Sequence, residues 1–141
     1  MSRSRRGWIA LAVIIGLLLV VPMARGLRSL IKTRGALATF TRLIGSANAQ
    51  DLATVRALCT NRYRESHPIQ PATEGGVIGL PRNIHKNFQV WTEGDEVWLC
   101  PGNREGVVYR LVKQQDQWKF DGLVGLLKRG RVEVPELDPQ E

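Results

Sequence analysis

The sequence lacks most of the short motifs by which a reaction can be recognised. It contains no P-loop, no dinucleotide-binding fingerprint, no nucleophile elbow and no paired-cysteine motif. Its two histidines, His67 and His85, are 18 residues apart and have neither an HExxH pattern nor a cysteine cluster around them. The sequence therefore predicts no metal site and no cofactor.

The folded part of the chain also lacks an excess of charge, although the formal net charge of the whole chain is +7. Residues 35–141 carry 13 basic and 13 acidic side chains and are neutral overall, so charge gives no support to a nucleic-acid partner. The excess lies on the two flanks of an apolar run, where contact with lipid headgroups is expected. It comes from Arg3, Arg5, Arg6, Arg25, Arg28, Lys32 and Arg34.

The apolar run covers residues 7–24, GWIALAVIIGLLLVVPMA, and contains 18 consecutive residues without a charge. As a helix it measures roughly 27 Å at about 1.5 Å per residue, enough to cross the hydrocarbon core of a bilayer. Trp8 stands where an interfacial aromatic residue belongs. We expect a basic tail over 1–6, a single-pass transmembrane signal anchor over 7–24, and a basic juxtamembrane segment over 25–34.

A cleaved signal peptide is the main alternative to an anchor. Cleavage after Gly26 would place Ala24 and Gly26 at the small-residue positions, but the arginines beside them make a poor cleavage site. An uncleaved anchor is favoured, and since no cysteine follows the run closely, no lipoprotein anchor is predicted. Both flanks are basic, so orientation is only weakly specified. The likeness of the first 21 residues to a signal anchor places the C-terminal domain outside the cytoplasm.

Two helices are expected after the anchor. The first covers residues 36–47, where Leu37, Phe40, Ile44 and Ala47 recur at helical spacing; it can extend back to the membrane with a bend or break near Pro22 and Gly35. The second begins near Asp51, with Asn48 or Asp51 as its N-cap, and has Leu52, Val55 and Cys59 on one face.

Residues 61–87 contain three prolines and three glycines and show no sustained period, which indicates a long irregular loop. Four strands are expected after it: FQVWT and EVWLC joined through Glu93–Asp95, and then a second hairpin within residues 107–123. These strands form an antiparallel meander. Residues 128–141, with two prolines among alternating charges, are expected to be a flexible tail.

Apolar and polar residues alternate along the second hairpin closely enough to predict which side chains share each face of the sheet. One face is apolar and is expected to pack on the helices, with Trp118→Ala acting as a core deletion. Asp121 is out of phase with Trp118 and Phe120, so it is expected on a solvated face beside Lys119, where Asp121→Asn would change stability little. The apolar face holds Val107, Tyr109, Leu111, Trp118 and Phe120, and the opposite face holds Arg110, Lys113, Lys119 and Asp121, with Val108 and Val112 as apolar exceptions. Helices packed on one face of such a sheet make an α+β fold over residues 35–127.

The segments ANAQDLATVRALCTNRYRE and VYRLVKQQDQWKFDGL, with the helix before them, resemble the nuclear transport factor 2-like superfamily. This is the cystatin-like α+β cone that includes lumazine-binding-like bacterial domains. The resemblance covers roughly residues 30–127 and implies helices on a curved antiparallel sheet. It does not choose a function, because such folds include isomerases, dehydratases, transport factors and assembly subunits.

The residues favour binding or assembly over catalysis, with a protein partner or a second copy held through the sheet. The alternative is a small-molecule enzyme, an isomerase or dehydratase, that uses Asp121, Tyr63 or His85 in acid-base chemistry. The candidate ligand-binding residues are Tyr63, His67, His85, Trp91 and Trp98. Cys59 and Cys100, the only cysteines, are compatible with a disulfide, but two separate buried thiols are slightly favoured.

Overall fold

A computed structural model describes residues 3–135 of the chain, with side chains described for Ile9 and for residues 12–135. The chain divides into two compact units, Met1–Ile31 and Lys32–Glu141. It is an α+β protein, in which a long helix and two short ones precede a curled five-stranded antiparallel sheet. The elements are α1 (Arg3–Asn48), α2 (Leu52–Leu58), α3 (Asn61–Ser66), β1 (Gln89–Glu93), β2 (Glu96–Cys100), β3 (Gly106–Gln114), β4 (Gln117–Lys128) and β5 (Arg131–Glu133).

The N-terminal unit consists of the first part of α1. Every side chain from residue 12 to residue 28 is exposed, although most of them are apolar. The helix is long and apolar enough to cross a membrane, which makes it a candidate for a membrane span or a signal anchor. Pro22 lies inside α1 and does not interrupt it.

Gly35 also lies inside α1, so of the predicted bend or break near it, a break is excluded. A Cβ atom at position 35 would lie 2.8 Å from the Nε1 atom of Trp118, so the glycine lets the helix and the start of β4 approach closely. Trp118 packs against the core but is only partly buried. The cost expected for deleting a fully buried ring therefore does not apply to it.

Helix α2 begins as predicted at Asp51, whose carboxylate accepts a hydrogen bond from the Thr54 backbone N–H at 3.2 Å. Asn48 does not cap this helix. Its side chain instead donates to the Arg82 carbonyl at 2.8 Å and ties the end of α1 to the long loop. The loop itself begins later than expected, because residues 61–66 form α3 with Thr60 as its N-cap.

The sheet has the strand order β1-β2-β3-β4-β5 with every neighbouring pair antiparallel. The predicted meander is correct, and its turns fall at Gly94–Asp95 and Gln115–Asp116, between the ends of the paired strands. Both residues of the second turn have positive φ, 49° and 61°, as a type I′ hairpin turn requires. The sheet has one strand more than the four expected. Lys128 ends β4 and residues 131–133 form β5, so the tail is ordered there; residues 136–141 lie outside the described part.

The main core lies between one face of the sheet and the helices. Three aromatic rings occupy its centre, with ring centroids 5.7 Å apart for Phe40 and Tyr109, 6.1 Å for Phe40 and Phe120, and 5.7 Å for Tyr109 and Phe120. The predicted contact between the helical faces and the second hairpin is confirmed. Packed around these rings are Leu37, Leu43, Ile44, Val55, Leu58, Val97, Leu99 and Leu111, together with Ile69 and Val77 from the long loop.

A second, smaller core forms around Cys100, Val108 and Leu127. Val108 lies between Val107 and Tyr109, which belong to the main core, so side-chain alternation places it on the opposite face of the sheet. The sequence predicted this side to carry charged residues, with Val108 and Val112 as apolar exceptions. The face is mixed, because Trp91, Trp98, Val124 and Val132 pack against the second core.

Candidate functional site

The structure places the five predicted ligand-binding residues in three different parts of the domain. Tyr63 and His67 stack on each other at the C-terminal end of α3, with ring centroids 4.8 Å apart. His85 is exposed in the long loop, where its Nδ1 atom accepts a hydrogen bond from the Asn87 backbone N–H at 3.1 Å. Trp91 and Trp98 are cross-strand partners in β1 and β2. A single site holding all five is therefore not formed.

Tyr63 is a core residue. Its ring meets Phe120 edge to face at 4.9 Å, and a Cβ atom at Gly122 would lie only 3.0 Å from it. Burial raises the pKa of the Tyr63 hydroxyl to about 12. A phenol with so high a pKa is a poor proton donor near neutral pH, which weakens the acid-base role considered from the sequence.

The prediction that Asp121 lies on a solvated surface is wrong. Its side chain is only 9% exposed. The Thr60 hydroxyl donates to Oδ1 at 2.6 Å, and the Arg110 guanidinium lies 3.0 Å from Oδ2. Arg62 also donates to this carboxylate through Nε at 3.2 Å and through its terminal nitrogen. Lys119, the partner expected from the sequence, instead donates to the Ala57 carbonyl at 2.5 Å.

The surroundings of Asp121 explain why its side chain is covered. The backbone N–H of Thr60 donates to the Phe120 carbonyl at 2.9 Å, which brings the start of α3 against the edge of β4. The pairing of β3 with β4 shifts register between Arg110 and Leu111, so Asp121 occupies a bulge next to Arg110. Both arginines can then reach one carboxylate. This arrangement joins α3, β3 and β4, and the described contacts give it a structural role.

Trp91 and Trp98 form the clearest candidate binding site. They border a groove of about 390 Å³, which lies at the lower end of the range typical of ligand pockets. Leu127 and Val132 add apolar lining to the groove, and these two residues belong to or pack on the second core. We name this the tryptophan groove; its remaining lining residues are Gln89, Glu93 and Gly130.

Hydrogen bonds to glutamates hold both indole rings of the groove. The Trp91 Nε1–H donates to Glu93 Oε1 at 3.1 Å, and the Trp98 Nε1–H donates to Glu96 Oε2 at 3.1 Å. The two ring planes meet at 68° with centroids 6.3 Å apart. An indole that pairs its N–H and stays partly exposed is typical of aromatic residues at binding surfaces, and both tryptophans have these features. Sequence alternation located the two tryptophans but could not show that β4 and β5 complete the groove.

A second groove, of about 550 Å³, lies between α3 and the β3–β4 turn. Its charged residues are Arg64 and Lys119, and both already make hydrogen bonds, to the Asn61 side chain and the Ala57 carbonyl. It is the larger groove but has no aromatic lining, so it lacks the rigid apolar rings that favour binding in the tryptophan groove. Neither groove includes a residue of the loop from His67 to His85, where the sequence placed a candidate ligand mouth.

The cysteines are both free and buried. Cys59 belongs to the main core and Cys100 to the second core on the other face of the sheet. Burial raises the pKa of the Cys59 thiol to about 12 and also raises that of Cys100. Both groups are thus protonated and unreactive in the folded protein near neutral pH.

We expect neither thiol to react readily with an alkylating reagent at pH 8 while the protein is folded, because only an accessible thiolate is a good nucleophile. In denaturant without reductant, after an acid quench of the cells, both should react. Mass spectrometry counts the added groups. An unfolded chain that gains none, but gains two after reduction, would reveal a disulfide and contradict the separation of the cysteines.

Among the described residues there is no group of three or more His, Cys, Asp or Glu side chains that could hold a metal ion. Comparison with protein-family models, with curated proteins and with solved structures gives no match to this chain. The tryptophan groove therefore has to be interpreted from its own chemistry.

Proposed function

We propose that this protein is a single-pass membrane-anchored domain that binds or assembles with a partner through the tryptophan groove. The observation that carries the proposal is the pair of partly exposed indoles over a small second core, each oriented by a glutamate. Tryptophan is enriched at the energetic centres of protein interfaces, because a large apolar ring and one hydrogen-bond donor act together there.

The arrangement of the candidate catalytic residues favours binding over the enzyme alternative. That alternative requires Asp121, Tyr63 or His85 to face a common pocket. Tyr63 packs in the main core, Asp121 is held by Thr60 and two arginines, and His85 is exposed in the loop. Phe40, Tyr109 and Phe120 occupy the space between helices and sheet in which a cone-shaped enzyme would hold its substrate.

The fold supports a further proposal, membership of the nuclear transport factor 2-like superfamily. In support, α1 and α2 pack on one face of a curled antiparallel sheet, and β3 and β4 form its longest hairpin. Since members of this superfamily differ widely in activity, this proposal adds nothing to the choice of function.

The anchor leads to a direct prediction about location. We expect the full-length protein to remain in the membrane pellet after a carbonate wash and to keep its original N-terminus, because residues 12–28 present only exposed side chains, most of them apolar. We place the C-terminal domain outside the cytoplasm, where protease added to intact cells should digest it. A soluble chain that begins near Leu27 would show instead that a signal peptide is cleaved.

Site-specific photocrosslinking in native membranes tests the proposed binding face. A photoreactive amino acid replaces Gln89, an exposed residue of the groove, or Ile78, an exposed apolar residue of the loop, as the control. We expect one adduct of defined mass from position 89, and its loss when Trp91→Leu is added. Trp91 is suited to this change because it lies on an edge strand and is only partly buried where it packs on the second core. Equal labelling from both positions, or none from position 89, would contradict the proposal.

A further inference from the structure

The lining of the tryptophan groove combines two aromatic rings with one carboxylate. Two aromatic rings stand at 68° to each other, so they form a corner and not a flat platform. Among the described residues that line the groove, Glu93 is the only charged one, and its exposed carboxylate accepts the Trp91 indole N–H at 3.1 Å. An aromatic face attracts a cation through its negative quadrupole, and a carboxylate attracts it by direct charge.

We propose that the tryptophan groove binds an organic cation, with the cationic group held in the corner between Trp91, Trp98 and Glu93. This inference rests on the proposed function, because it names the chemical class that the binding face recognises. The chemistry fits a quaternary ammonium group or a lysine or arginine side chain presented by a partner. A flat apolar ring or a sugar would favour two coplanar aromatic surfaces, which this groove does not provide.

Charges close to the groove are consistent with this ligand class. Glu96 accepts the Trp98 indole N–H and lies 3.8 Å from Arg110, which offsets its charge, so Glu93 carries the negative charge of the corner. Lys128 is paired with Glu133 at 3.1 Å. Arg129 and Arg131 flank the lining residue Gly130, but they are exposed and do not line the groove. The negative charge therefore lies on the tryptophan side, where the cation is expected.

Choline and 3,3-dimethyl-1-butanol test the proposal, because they have nearly the same shape and only choline is charged. Each is titrated against full-length protein in a maltoside detergent, followed by tryptophan fluorescence. We expect choline to bind at least about fivefold more tightly than the neutral alcohol, the ratio that corresponds to an exposed cation–π contact of about 1 kcal/mol. Nα-acetyl-lysine amide, titrated in parallel, distinguishes a side-chain cation from a quaternary ammonium.

The variant Glu93→Gln isolates the charge, because a glutamine oxygen can still accept the Trp91 indole hydrogen bond. We expect it to weaken choline binding about threefold or more and to leave binding of the alcohol unchanged. Glu105→Gln is the matched control, an exposed glutamate outside the groove. Equal affinity for the two ligands, or no binding of any cation, would overturn the inference. If the crosslink from position 89 then still formed, the binding face would stand and only its ligand class would be wrong.

Discussion

Replacing Phe120 with alanine should lower the free energy of unfolding by about 3 to 5 kcal/mol, as deletion of a fully buried aromatic ring does. Phe120 is 0% exposed. Its ring contacts Phe40, Tyr63 and Tyr109, so its removal leaves a cavity bordered by three rings that are themselves held by the helices and by β3. Relaxation cannot easily fill such a cavity.

Chemical unfolding of the full-length protein in detergent, followed by circular dichroism, measures this loss. Leu123→Ala is the control, a leucine three residues along the same strand whose side chain is 56% exposed, and we expect a change below about 1 kcal/mol there. Similar losses for the two variants would mean that the three-ring cluster is not the centre of the core.

Asp121→Asn should lower the free energy of unfolding by about 2 to 3 kcal/mol. Asparagine keeps the shape of the side chain but removes the charge, and Arg110, only 24% exposed, then loses its nearest carboxylate. Glu96 lies 3.8 Å from Arg110 and compensates only in part. The Nε atom of Arg110 is buried without a hydrogen-bond partner, which makes this guanidinium more dependent on Asp121.

Asp116→Asn is the matched control for this charge. Asp116 lies in the β3–β4 turn, fully exposed, with its nearest cation, Lys113, 3.9 Å away. We expect a change below about 0.5 kcal/mol, as for other exposed ion pairs. If Asp121→Asn is equally mild, the carboxylate contributes little to the fold, and the solvated surface expected from the sequence would be the better description.

Local pattern was enough to predict most of the domain. Strict alternation in β3 and β4 identified Tyr109, Leu111 and Phe120 as the apolar face, and helical spacing identified Phe40 and Val55 as their partners. Residue type limited the cap of α2 to Asn48 or Asp51, and the structure has Asp51. Each of these features depends on residues that are close in sequence or on a single period.

The features that were missed depend on tertiary contacts. The position of Asp121 is set by a register shift in β4 and by α3, which starts 60 residues earlier in the chain. Strand β5 has only three residues, Arg131–Glu133, and its exposed, charged sequence shows little β pattern until it pairs with the end of β4. The tryptophan groove likewise needs the contribution of Leu127 and Val132, which the curl of the sheet brings to Trp91 and Trp98.

The central claim is that the tryptophan groove, and not the Asp121 carboxylate, carries the binding function, and one comparison tests it directly. Two quantities are measured for Trp91→Leu and for Asp121→Asn. One is the crosslink yield from position 89 per folded molecule in native membranes, and the other is the melting temperature. We predict that Trp91→Leu loses most of the adduct and melts close to the unmodified protein, whereas Asp121→Asn melts lower and keeps its adduct. The opposite result is that Asp121→Asn melts normally but loses the adduct, whereas Trp91→Leu keeps it. That result would move the function to the Asp121 carboxylate and contradict the proposed role of the tryptophan groove.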